Sequence, residues 1–346
     1  MKTAESVTEG HPDKVCDQIS DALLDEYLKR DPQSRVALES FGSHGMLMVG
    51  GEVTSSAEVD IEAMAKHVYK QIGYDDELEV FVNIELQSGD IAQGVDTGGA
   101  GDQGIMYGYA SAETPSFMPA PIAHAHALAR RLTDLRRHDP SFAWLRPDGK
   151  TQVTMDRGRV TTVVVSTQHA PEISQEEIRA QLTEGLIAPV IGDLAGVEVL
   201  INPTGRFVVG GFTADTGLTG RKLMVDTYGG IIPHGGGAFS GKDSTKVDRS
   251  AAYMARFAAK NLVAGGYAKK CMVSVAYAIG RAEPVMLTAR AEDGRDLSPL
   301  AHKYFDFRPK AIVERLGLRN PIFRETAAYG HFGRDQFPWE QLVELK

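Results

Sequence analysis

Apolar residues Val15, Ile19, Leu23 and Tyr27 recur at four-residue intervals behind Pro12, which predicts a helix over 12–28 with one buried stripe. A second stripe, Ile61, Met64, Val68 and Ile72, ends at Gly73, a residue suited to the left-handed stop after a helix. A third, Ile122, Ala125, Ala129 and Leu132, predicts a helix over about 121–137. Ser174 with Glu177 three residues on reads as a capping box opening another helix. Short runs rich in β-branched residues predict strands at 35–41, 46–49, 78–86, 160–165, 197–201, 272–277 and 285–289.

In order, these elements repeat a strand–strand–helix–strand unit three times, the last with a helix near 300–304 and a short ending around Ile322. The pattern predicts an α+β fold of three structurally similar α/β domains related by pseudo-threefold symmetry, with helices covering the sheets. The expected divisions are an N-terminal repeat over 1–88, a mobile active-site loop over 89–100, a central repeat over 101–209 and a C-terminal repeat over 210–346. The loop is expected because 87–94 and 98–104 are polar, dense in glycine and without hydrophobic period, as in a lid.

Composition narrows the class. Of 346 residues, 42% are hydrophobic and 24% charged, as in soluble globular proteins. The start is polar, and no apolar run approaches a membrane span. Cys16 and Cys271 are too few for a disulfide framework or a cysteine-built zinc site. A cytoplasmic protein without a membrane partner is expected. The net charge of −9 argues against nucleic acid as a partner.

Against that acidity the segment 206–249 stands out. It holds six Lys or Arg against four Asp, and ten of the 36 glycines. Within it, 235–242 nearly matches a P-loop, with Asp243 where Ser or Thr would hold magnesium. A strand at 223–227 and a helix from Ser250 are expected on either side. Glycine-freed N–H groups and interleaved cations and carboxylates suit a polyphosphate with a divalent metal; a solvated glycine-rich turn is the alternative. Separately, His11 and Asp13 precede or open the first helix, where backbone N–H groups and the dipole favour anions.

Six motifs carry a resemblance: Gly10-His-Pro-Asp-Lys14, Gly101-Asp-Gln-Gly104, Leu145-Arg-Pro-Asp148, Asn202-Pro-Thr-Gly-Arg-Phe207, Gly217-Leu-Thr-Gly-Arg-Lys222 and Gly235-Gly-Gly-Ala-Phe-Ser-Gly-Lys242. In order and over essentially the whole chain, ending with Tyr329-Gly-His-Phe-Gly333, the sequence resembles the bacterial and eukaryotic S-adenosylmethionine synthetases. The resemblance implies a homodimer or a homotetramer built as a dimer of dimers, with ATP and methionine bound between subunits. Methionine sulfur would attack C5′ of ATP, and the tripolyphosphate released would be hydrolysed to phosphate and diphosphate.

By resemblance, His11, Arg221 and Lys242 would be catalytic, with His11 stabilising the departing oxygen. ATP would also meet Asp102, Asp148, Lys150, Arg206, Phe207, Asp215, Lys222 and Ala238. Glu52, Gln87, Asp215 and Lys246 would hold methionine. Asp13 and Asp248 would hold two Mg²⁺ ions, and Glu39 a K⁺ ion. Three departures are visible: 95–100 is shorter than usual, Gly89 replaces a common proline, and Thr216 replaces a common cysteine. The competing readings are a phosphoryl-transfer enzyme, disfavoured by Asp243, and a non-catalytic nucleotide-binding homologue. The latter should have lost His11, a magnesium Asp or a phosphate lysine, and all are present.

Overall fold

The computed structural model describes residues 1–86 and 98–346. Eleven described strands form three sheets: β1(Lys2–Val7), β6(Leu145–Asp156), β7(Arg159–His169) and β8(Glu198–Ile201) in one; β4(Glu79–Glu85), β3(Met46–Thr54), β2(Arg35–Ser43) and β9(Gly217–Leu218) in the next; β11(Met286–Ala291), β10(Lys270–Tyr277) and β5(Gly104–Ser111) in the last. Two sheets share one scheme. An antiparallel hairpin is followed by a helix and a parallel strand, and a short antiparallel strand joins the outer edge.

Each sheet borrows that edge strand from elsewhere in the chain. The N-terminal β1 completes the central sheet, β5 pairs with β10 of the C-terminal segment, and β9 pairs with β2 of the N-terminal segment. The three segments are thereby interlocked, and their sheets bury one large shared core and a smaller one under the helix Ala120–His138.

Local signals account for much of this. Helix α1(Pro12–Arg30) begins with His11 as N-cap and Pro12 inside its first turn, and nearly its whole surface is buried. Helix α2(Ile61–Ile72) stops at Gly73 with φ 116°, a conformation glycine adopts without strain. The Ser174–Glu177 capping box is present with both of its hydrogen bonds.

Several expectations change. The run 223–227 is not a strand: Leu223–Asp226 is a short helix, its Asp226 N–H bonded to the Lys222 carbonyl. A brief apolar run carries too little period to separate the two. The helix expected from Ser250 begins at Val247. Strands β1, β5, β6 and β9 depart from the expected set: β1 is polar, β5 follows the glycine-rich loop in the chain, β6 opens on a Pro–Asp–Gly run and β9 is two residues long. Of that loop, 87–97 falls outside the described residues. Its far end is anchored, with Ala100 buried and bonded to Arg281 and Gly280, and Gly104 opens β5. The third sheet has three strands among the described residues.

Candidate active site

Helix α1 is the organising element. Its aspartates 13, 17, 21 and 25 recur every four residues and so share one side of the helix. Each accepts backbone N–H groups from a distant segment, Asp13 and Asp17 from the same turn at 218–220, Asp21 from the loop at 241 and Asp25 from 323–324. Asp13 Oδ1 takes Leu218 at 3.0 Å, and Asp17 Oδ1 takes Gly220 at 2.9 Å. Asp21 Oδ1 takes Gly241 at 2.8 Å, and Asp25 takes Phe323 and Arg324 at 2.9 and 2.8 Å. Both glycine-rich loops of 206–249 are thus pinned to one helix. The approach is close: a Cβ on Gly217 would lie 2.2 Å from the Pro12 carbonyl oxygen. Sequence reasoning missed Asp17, Asp21 and Asp25, although their four-residue spacing was there to be read.

The first group of predicted residues gathers at the α1 N-terminus. The buried Asp13 carboxylate meets Lys222 Nζ at 2.5 Å and Arg221 Nε at 3.0 Å. His11 Nδ1 accepts the Asp13 N–H at 3.2 Å, so its proton sits on Nε2. Burial first, then the charges of Lys222 and Lys150, push the imidazole down to about 2, which keeps it neutral; Asp215 acts on it in the opposite sense. Asp148, on β6 beside Lys150, accepts the Gly211 N–H at 3.0 Å, and burial raises its carboxyl to about 6. Arg221, Lys150 and Asp215 are open to solvent.

A second group lies on the other glycine-rich loop and the helix Val247–Ala264. Lys242 Nζ meets Asp248 Oδ2 at 2.7 Å, both part-exposed. The loop wraps that carboxylate closely, since a Cβ on Gly237 would lie 2.1 Å from Asp248 Oδ1. Lys246 pairs with Asp243 at 2.5 Å. Asp243 is buried and accepts the Val36 N–H at 2.7 Å, so the position that a P-loop gives to a metal-binding hydroxyl is structural here. Ala238 stands against Gly220, next to the first group. Asp102 is exposed, with Oδ1 on the Gln103 N–H.

Glu39 and Glu52 stand exposed on one face of the β2–β3 hairpin, lining a single concavity with Phe41 and Met48. Phe207 is half-buried, its N–H donated to His169 Nε2 at 3.0 Å, and Arg206 is exposed. Gln87 falls outside the described residues. One cation of the predicted cluster drops out: Arg249 is fully buried against Asp21 and faces no solvent.

Among the described residues no three His, Cys, Asp or Glu side chains converge as a preformed metal cage. Asp13 and Asp248 are instead single carboxylates beside cations, a donor set suited to Mg²⁺ shared with a polyphosphate, which needs only one or two carboxylates. The fit holds.

The N-terminal, central and C-terminal domains of S-adenosylmethionine synthetase match residues 1–91, 97–207 and 209–341. This chain belongs to the S-adenosylmethionine synthetase family. It is 53% identical to the S-adenosylmethionine synthase of Sorangium cellulosum (strain So ce56), over 98% of this chain and 87% of that one. Identity is 52% to S-adenosylmethionine synthase 1 of Rhodopseudomonas palustris (strain BisB18), over 98% and 95%. It is 48% to the S-adenosylmethionine synthase of Petrotoga mobilis (strain DSM 10674 / SJ95), over 99% and 96%. The last match spans 389 positions against 346 residues here, so that synthase carries residues this chain lacks. As a synthetase of this family the chain is a methionine adenosyltransferase with ATP and methionine as substrates. Neither the phosphoryl-transfer reading nor the non-catalytic one finds support in these matches. Among the described residues no helix is long and apolar enough to cross a membrane.

Proposed function

We propose that the synthetase reaction is carried by the group at the α1 N-terminus together with the Lys242–Asp248 group. The thioether sulfur of methionine is neutral and needs no general base. Its attack on C5′ is limited by alignment and by the charge that gathers on the departing triphosphate. Arg221, Lys222, Lys150 and Lys242 meet that charge as fixed cations. His11, neutral with its proton on Nε2, donates to the oxygen leaving C5′. The convergence of His11, Asp13, Arg221 and Lys222 carries this reading.

Asp102, Asp148, Arg206, Phe207 and Ala238 complete the nucleotide contacts, with Phe207 stacking near adenine. Glu52, Gln87, Asp215 and Lys246 orient methionine. Asp13 and Asp248 hold Mg²⁺, and Glu39 holds K⁺; bound cations of this kind neutralise phosphate charge. The same cations serve hydrolysis of tripolyphosphate to phosphate and diphosphate.

We propose further that two copies of the chain, placed in the cytoplasm, share their sites across an interface, as a dimer or a dimer of dimers. The exposed face of the β4–β3–β2 sheet supports this. Phe41, Met48 and Phe81 stand 38%, 43% and 46% exposed beside Glu39 and Glu52, an apolar surface that a partner would cover. The cyclic borrowing of edge strands supports three repeats related by pseudo-threefold symmetry, with divisions near 88, 100 and 209.

The deciding experiment incubates the purified protein with ATP, methionine, Mg²⁺ and K⁺ and reads products by mass spectrometry and phosphate assay. S-adenosylmethionine with phosphate and diphosphate is expected. Formation of ADP would overturn the reading.

A further inference from the structure

We propose that Asp17 is a positioning residue for the triphosphate, acting through the turn that carries Arg221 and Lys222. The inference rests on the reading that these two cations meet the triphosphate.

Asp17 touches no predicted substrate position. It is fully buried one helical turn after Asp13, with Oδ1 on the Gly220 N–H at 2.9 Å and Oδ2 on Lys14 Nζ at 2.9 Å. Lys14 is equally buried and also reaches Asp226 Oδ1 at 2.5 Å. Asp226 in turn donates its backbone N–H to the Lys222 carbonyl at 2.8 Å. The contacts close a ring: Asp17, Gly220, Arg221, Lys222, Asp226, Lys14 and back to Asp17.

Arg221 and Lys222 are the only members of that ring whose cationic heads reach the Asp13 carboxylate beside His11. Their backbone is held before residue 221 by Asp17 and after residue 222 by Asp226, and a single ammonium joins both carboxylates. Thr219 adds a brace, its hydroxyl 2.9 Å from Ser20 Oγ on the same helix. A buried ion pair of this kind is weak evidence for stability, because desolvation offsets most of its attraction. Its geometric effect is firmer: it leaves the turn one position in which to sit. Fixed placement of the cations before the charge develops is what makes them effective.

Asp17→Asn keeps the shape and can still accept the Gly220 N–H, but it loses the charge that holds Lys14. The expected result is a fall in kcat for S-adenosylmethionine formation of about 10²-fold, the scale set by misplacing a reacting group by about 1 Å. KM for methionine should change less than about threefold, since the loss falls on kcat. Hydrolysis of added tripolyphosphate should fall in step with kcat. Asp25→Asn is the control on the same helix stripe; it holds only the 323–324 segment and should keep kcat in folded protein.

Lys222→Met separates the two ideas. If Lys222→Met retains near-normal turnover, the cation assignment itself fails. If it does not, Asp17→Asn should add little in the Lys222→Met background, because coupled residues are non-additive. Full multiplication of the two losses, or a normal kcat in Asp17→Asn alone, would overturn the role of Asp17. Should Asp17→Asn fail to fold, Asp226→Asn opens the ring from its other side and is judged by the same criteria.

Discussion

Arg249 and Asp21 meet as a buried fork-to-fork pair, Nη1 to Oδ1 at 2.7 Å and Nη2 to Oδ2 at 2.9 Å, with both side chains sealed from solvent. The same guanidinium donates to the carbonyls of Phe239 and Lys242 at 3.0 and 3.1 Å. Asp21 also takes the Gly241 N–H. The pair therefore fixes the loop that presents Lys242. Arg249→Met leaves Asp21 buried without its partner, at a cost of about 3–5 kcal/mol. Thermal melting should show that loss, and a melting temperature like the parent's would show that the carboxylate finds other partners.

Lys242 itself is part-exposed and carries no such structural burden. Lys242→Met should melt close to the parent while kcat falls by about 10²–10³-fold, the loss typical of one preorganised charge-stabilising group. Circular dichroism and a turnover assay measure the two sides. Near-normal turnover would remove Lys242 from the catalytic group.

His11→Asn should depress sulfonium formation far more than hydrolysis of added tripolyphosphate, because only the first step breaks the C5′–O bond. With its ring held neutral down to about pH 2, His11 does not titrate in the working range. The factor lost should accordingly be the same at pH 6.5 and pH 8.5. Equal losses in both reactions would mean that His11 is not specific to the first step.

His126 makes a prediction about stability and pH. It is fully buried, with Nδ1 2.8 Å from Ser6 Oγ, and burial, then Arg334 and Arg130, push it down to about 3. The unfolded chain takes up this proton near pH 6.5 and the folded chain does not. Stability from this group is therefore full above 6.5 and falls by about 1.4 kcal/mol per pH unit below it, down to about 3. Asp25, which burial raises to about 7, acts with the opposite sign. The clean readout is the difference between parent and His126→Gln in denaturant melts at pH 7.5, 6.5 and 5.5. The parent should lose ground to the variant below 6.5, and parallel curves would refute the assignment.

Met48 and Phe81 are paired across β3 and β4 on the exposed sheet face. Met48→Lys should shift the particle mass measured by light scattering toward the single chain, with activity lost at low protein concentration. An unchanged mass with full activity would place the interface elsewhere.

Much of the architecture is local and was legible. Pro12 and the four-residue apolar stripe define α1, Gly73 ends α2, and Ser174 with Glu177 starts the helix Gln175–Leu182. These signals act between residues at most four apart, and any fold that contains the segment must satisfy them. The glycines and alternating charges of 206–249 were legible too, since they are properties of composition.

What the sequence by itself determined about this protein is therefore its local elements, its family motifs and the kind of ligand they suit. The tertiary structure decided which charge does what. Arg249 and Lys242 are cations seven residues apart on one glycine-rich segment, yet one is sealed against Asp21 and the other stands open beside Asp248. The stripe of Asp13, Asp17, Asp21 and Asp25 was written in the sequence, but not that it would hold loops some two to three hundred residues away. Nor could local pattern show that β1, β5 and β9 each leave their own segment to complete another sheet. Burial and long-range partners are set by how whole elements pack, and the same Asp or Arg becomes a ligand group or a buried brace according to what closes over it.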